Sequence, residues 1–249
     1  MLTARVHGFS LMELLIGVFL TTLLMTGIVQ LLTGSVAAYR LQLDQSQLEE
    51  SNRFARDVLG RHIAQAGYQP EPWENLSAFP ALTPESLNGD SLRGDQLGLQ
   101  RWSNQNCYGN DNPVVDSAGR PAFHLLRLRF RVNPSKNLAL TCRYGSEASA
   151  LVTQINNHGL VEDVEAMHVL YAEDNDADHI GDSWVTAQAW HQETNVKAVK
   201  VALLLSSRQV YGQPVSTEIT LLDETLSAPA DGHLRQVRSF TVAIRGRLK

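Results

Sequence analysis

From Phe9 to Thr33 the chain reads FSLMELLIGVFLTTLLMTGIVQLLT, an almost wholly apolar run with one charge, Glu13. As an α-helix rising about 1.5 Å per residue, such a run is long enough for a hydrocarbon core of roughly 30 Å, so the pattern predicts a membrane span. From Ser35 to about Gly67 the pattern turns amphipathic: Val36, Tyr39, Leu43, Phe54, Val58, Leu59, Ile63 and Ala66 recur near helical spacing among polar residues. No proline precedes Pro70, so one continuous helix is expected, weakened by up to about 1 kcal/mol each at Gly27 and Gly34.

Residues 69–96 contain four prolines with several Gly, Asn and Ser, and predict a loop-rich connection. Beyond it the period changes to two. In His124–Val132, Leu126, Leu128, Phe130 and Val132 lie on one side, with Arg127, Arg129 and Arg131 on a face expected to be solvated. The turn-rich Asn133–Asn137 and the alternation from Leu138 to Tyr144 predict a hairpin. Further strands are expected at Leu97–Trp102, Leu151–Ile155, Val164–Tyr171, Ala198–Leu205, Ser216–Leu222 and Ser239–Leu248. Strands that follow one helix without helical crossovers predict an α+β fold, in which a C-terminal antiparallel β-sheet domain packs on the polar half of the long N-terminal helix.

Composition narrows this picture. The chain has 249 residues, 43% hydrophobic and 19% charged, with a net charge of -5 and a pI near 5.9, which argues against disorder and against a general basic DNA-binding surface. No nucleic-acid partner is expected. Charge is segregated: residues 124–145 hold five Lys/Arg and no Asp/Glu, and residues 146–196 hold ten Asp/Glu and no Lys/Arg. Such blocks describe solvated faces in the first instance.

A secretory signal peptide competes with the membrane-span reading, since Arg5 supplies a basic flank and Ser35-Val36-Ala37 a small-residue site. The apolar run exceeds an ordinary signal core, and export alone does not need Glu13 inside it. A carboxylate in an apolar helix costs on the order of a few kcal/mol and calls for a partner. The surrounding Gly8-Phe9-Ser10-Leu11-Met12-Glu13-Leu14 resembles the processing site of type IV prepilins and pseudopilins. The resemblance implies a leader over residues 1–8 and a membrane peptidase, the prepilin peptidase, cutting between Gly8 and Phe9. N-methylation of Phe9 would follow. Cleavage creates an α-ammonium on Phe9, and Glu13 of a neighbouring subunit can pair with it where water is scarce, favouring lateral assembly in register. Arg5 fits a cytoplasmic leader.

Within the domain, Leu59–Tyr68, closing on Ala66-Gly67-Tyr68, is similar to the helix end of the PilW group of minor pilins. Leu160–Tyr171, Trp184, Trp190 and Val196–Leu205 resemble that group and the J-type pseudopilins of type II secretion. The closing SFTVAIRGRLK is similar to the group's last strand, with Gly246 where asparagine is more usual.

These resemblances imply leader residues 1–8, membrane helix 9–33, amphipathic continuation 34–67 and exported domain 68–249. They also imply a minor pilin that helps initiate a type IV pilus and sits at its tip. Partners would be other minor pilins, the major pilin, the prepilin peptidase and the inner-membrane assembly platform, with lipid contacting residues 9–33. The chain would cross the bacterial inner membrane once, N-terminus cytoplasmic and domain periplasmic, and reach the cell surface in a pilus. A J-type pseudopilin is one alternative, and a membrane-anchored periplasmic binding module or enzyme is another.

In an oxidising periplasm Cys107 and Cys142 are expected to form a disulfide closing about 36 residues. Neither lies in a metal-binding spacing. Asp174, Asp176 and Asp178 alternate in EDNDADHIGD and can converge on calcium, but His179 and Val185 break the EF-hand pattern, so a solvated acidic loop is expected and no metal or cofactor is assigned. Catalytic signatures are absent from the sequence, the eight histidines are dispersed, and His168 reads as a strand residue. No enzyme is expected.

Overall fold

The computed structural model describes residues 10–70, 79–89, 93–212 and 216–246, so Gly8 and Phe9 lie outside the described residues. The chain divides into two compact units, residues 1–46 and 47–249. Helix α1 runs from Leu11 to Gln65. The strands are β1 (Leu97–Ser103), β2 (His124–Val132), β3 (Leu138–Gly145), β4 (Val152–Val161), β5 (Val164–Glu173), β6 (Ser183–Val185), β7 (Val196–Val210), β8 (Thr217–Leu221), β9 (Glu224–Ala228) and β10 (His233–Ala243).

Two four-stranded antiparallel sheets form where one was expected. The first is the meander β1-β2-β3-β4, the second has the order β10-β7-β5-β6, and β8-β9 is a separate two-stranded ribbon. The expected β2–β3 hairpin is present. Its turn is organised by Asn133, whose Oδ1 accepts hydrogen bonds from the Ser135 and Asn137 amides at 2.9 and 3.0 Å.

One core joins the second half of α1 to both sheets. Leu48, Ala55, Leu59 and Ile63 of α1 are buried in it with Leu128 and Phe130 of β2, Met167 of β5, Val201 and Leu203 of β7, and Phe240 of β10. The helical spacing of those four residues makes one stripe, and complete burial of Leu59 or Ile63 contributes about 1.5–3 kcal/mol. The stripe differs from the expected one: Val36, Tyr39, Leu43 and Phe54 are exposed. A smaller cluster on the other face of the second sheet, Ala166, Ala202 and Leu204, is covered by Leu221 and its ribbon neighbours.

The end of α1 is closed by the motifs at Ala66-Gly67-Tyr68 and at the last strand. Gly67 takes a positive φ of 78° and its N–H donates to Gln100 O at 2.8 Å, turning the chain off the helix onto β1. The Arg245 N–H donates to Ala64 O at 2.9 Å, satisfying a helix-end carbonyl. A Cβ at Gly246 would lie 2.4 Å from Ala66 O. Glycine stands at a point where the backbone segments touch.

Candidate assembly site

Within residues 10–46 the site is built on the first turn of α1. The Ser10 amide donates to Glu13 Oε2 at 3.2 Å, and the Met12 amide donates to Ser10 Oγ at 3.3 Å. This is a capping box, with Ser10 as N-cap and Glu13 three residues on. The carboxylate therefore has a local role beside the one expected for it. It satisfies an amide that the helix cannot, and it places negative charge at the positive end of the helix dipole. The Ser-x-x-Glu spacing before an apolar run is the signal in the sequence for this role of Ser10.

Past this turn, Leu14, Ile16, Phe19, Leu23, Met25, Ile28 and Leu31 are all at least half exposed in the isolated chain. The hydroxyls among them bond back to the helix: Thr21 donates to Gly17 O at 2.6 Å, Thr26 to Thr22 O at 2.8 Å and Ser35 to Leu31 O at 2.8 Å. Hydroxyls bonded back to the helix leave an outer surface suited to lipid or to other apolar helices. By length and composition the helix can cross a membrane.

In the unit of residues 47–249, the disulfide Cys107–Cys142 is formed, with Cα atoms 5.9 Å apart. It joins the connection between β1 and β2 to the fully buried Cys142 of β3.

The acidic loop is arranged differently from the expected alternation. Carboxylate oxygens of Asp174, Asp176 and Asp182 approach one another within 4.8 Å, and Asp178 is not among them. Asp178 Oδ1 accepts from the Ile180 amide, while Asp182 Oδ2 accepts from the Asn175 amide, both at 2.7 Å. Asp174 is buried, meets Lys197 Nζ at 3.2 Å and accepts from the Ala177 and His179 amides. Burial works against its charge, but Lys197 and those amides outweigh it and hold its carboxyl below the usual range. These carboxylates are engaged in ordering their own loop.

The arginines of β2 are half-buried and partnered, in place of the free face expected. Arg127 donates to Gln100 Oε1 at 3.0 Å and Arg131 to Asn157 Oδ1 at 3.2 Å. Glu85 lies 3.9 Å from Arg129 and 2.7 Å from Arg143. His168 is buried in β5, its Nδ1 3.4 Å from Glu224 Oε2 of the ribbon, so it is a packed strand residue.

The fold has a counterpart in a type IV-like pilin from Thermus thermophilus, with a TM-score of 0.52, 23% sequence identity, and coverage of 81% of this chain and 97% of that one. Residues 130–246, which carry the second sheet and the closing strand, match the family described as Type IV Pilus-assembly protein W. This part of the chain is similar to the PilW family of type IV pilus-assembly proteins. No curated protein gives a match. The fold is that of a type IV-like pilin, and its N-terminal helix is apolar and long enough to cross a membrane.

Proposed function

We propose that this chain is a minor pilin that helps initiate pilus assembly and takes a place at the pilus tip. Residues 1–8 are its leader, 9–33 its inner-membrane helix, 34–67 the amphipathic continuation and 68–249 the exported domain. The prepilin peptidase removes the leader between Gly8 and Phe9, and Phe9 is then N-methylated. Its partners are other minor pilins, the major pilin and the assembly platform, and no substrate is turned over. The observation that carries this reading is the exposed apolar first half of α1 with a single carboxylate, Glu13, in its first turn.

The test is the mass of the mature N-terminus in membranes of the producing cell. The expected protein begins at N-methylated Phe9. An intact leader, or cleavage after Ala37, overturns the proposal.

A further inference from the structure

The helix-end motif Ala66-Gly67-Tyr68 and the closing Arg245-Gly246, far apart in sequence, meet at one groove of about 490 Å³. Its lining includes Tyr68, Arg101, Trp102, Phe123, Arg245 and Gly246. Tyr68 and Phe123 are 42% and 38% exposed, their ring centroids 6.1 Å apart. Arg101 and Arg245 line the same groove, and among the described residues neither meets a carboxylate.

Among the described residues Arg101 bonds only to neutral acceptors, Gln65 Oε1 at 2.5 Å and His62 Nδ1 at 3.3 Å. His62 is neutral at pH 7: burial first, then the charges of Arg101 and Arg61, lower its pKa to about 4. Arg245 holds the helix end through its backbone amide, leaving its exposed side chain directed to no described partner. Elsewhere in this unit Arg235 meets Glu165 and Asp231, Arg143 meets Glu85 and Lys197 meets Asp174, while Arg127 and Arg131, like Arg101, bond to amide oxygens. A guanidinium taken partly out of water is favourable when it binds an anion, best in a two-pronged pair with a carboxylate. Tyr, Trp and Arg around a concave centre are also the composition of the strongest points in protein interfaces.

We propose that this groove receives a carboxylate-bearing segment of a neighbouring pilus subunit. Arg101 and Arg245 hold the carboxylate, and the rings of Tyr68, Trp102 and Phe123 cover the apolar side chain beside it. The carboxylate is an Asp or Glu side chain or a chain end. This inference rests on the pilin reading above.

The test uses the full chain in cells that make all the pilus components, with p-benzoylphenylalanine in place of Phe123. Light should join it to a peptide of another pilus subunit that contains an acidic residue or the chain end, and mapping that peptide distinguishes the two sources. Arg245→Gln leaves the backbone bond to Ala64 intact and should lower the cross-link about tenfold, the effect of losing one charge-assisted bond. Arg245→Lys should retain most of it. A normal Cys107–Cys142 bridge and melting temperature in each variant confirm folding. If the chain co-purifies with pilus subunits but the cross-link is absent, joins only a second copy, joins a peptide without a carboxylate, or is unchanged by Arg245→Gln, the groove inference falls alone. If the chain co-purifies with no pilus subunit, the pilin reading falls and the inference with it.

Discussion

Glu13→Ala and Glu13→Gln should both insert into the membrane and be processed, and both should lose co-purification with other pilus subunits. The pair of substitutions separates the two roles of this carboxylate. In the isolated chain Glu13 accepts the Ser10 amide within a capping box, and glutamine performs that role about as well. Losing the cap with alanine costs about 0.5–2 kcal/mol of local helix stability, too little to empty an interface. Losing the charge acts on a different scale. An α-ammonium left without its counter-charge where water is scarce costs about 3–5 kcal/mol, a weakening of more than about a hundredfold. If charge pairing between subunits is the main role, glutamine fails as alanine does. If Glu13→Gln co-purifies like the wild type while Glu13→Ala does not, the cap is what matters and the pairing account is wrong.

Replacing Cys107 and Cys142 together with alanine should lower the stability of the folded domain by roughly 3–4 kcal/mol, the chain-entropy value for a loop of this length. For a domain of this size that is on the order of 10 °C in melting temperature. The bridge ties the β1–β2 connection to Cys142 in the core, so without it the unfolded chain gains freedom and the core loses a cross-link. The connection keeps local bonds that hold its shape. Asn106 Oδ1 accepts from the Tyr108 amide at 2.9 Å, and Asn112 Nδ2 donates to Ala122 O at 2.9 Å. Most of the loss should therefore appear in global unfolding, measured by calorimetry of the full chain in detergent. Peptide mapping without reductant should find Cys107 joined to Cys142 in the wild type. Two alkylatable thiols in wild-type protein, or an unchanged melting temperature in the double variant, would contradict this account.

The parts legible from sequence are those whose physics is local. The apolar run announces the first half of α1, and strict alternation announces β2 and β3. The short strands β6 and β9, three and five residues long, carry too few positions for a period to stand out. The early half of β10 reads HLRQVR, whose polar residues hide its pairing with β7. The division into two sheets depends on β7 lying between β10 and β5, a non-local choice that no single segment encodes. In the helix, side-chain periodicity identified Leu59 and Ile63 but also Phe54, because spacing does not say which face meets the core. Asp178 failed to join the other carboxylates because Ala177 and His179 take positive φ values of 64° and 73°, breaking the alternation that an extended chain would give. The groove was invisible for the same reason as the second sheet: Tyr68, Arg101, Phe123 and Arg245 meet only after β1 and the closing strand have docked beside the helix end.

The central claim is that this chain is needed to build a pilus, and counting surface pili by electron microscopy after deletion of its gene tests it most directly. The expected result is a bald or nearly bald cell whose piliation is restored by the wild-type chain and not by Glu13→Ala. Normal pilus numbers in the deletion strain would contradict the account.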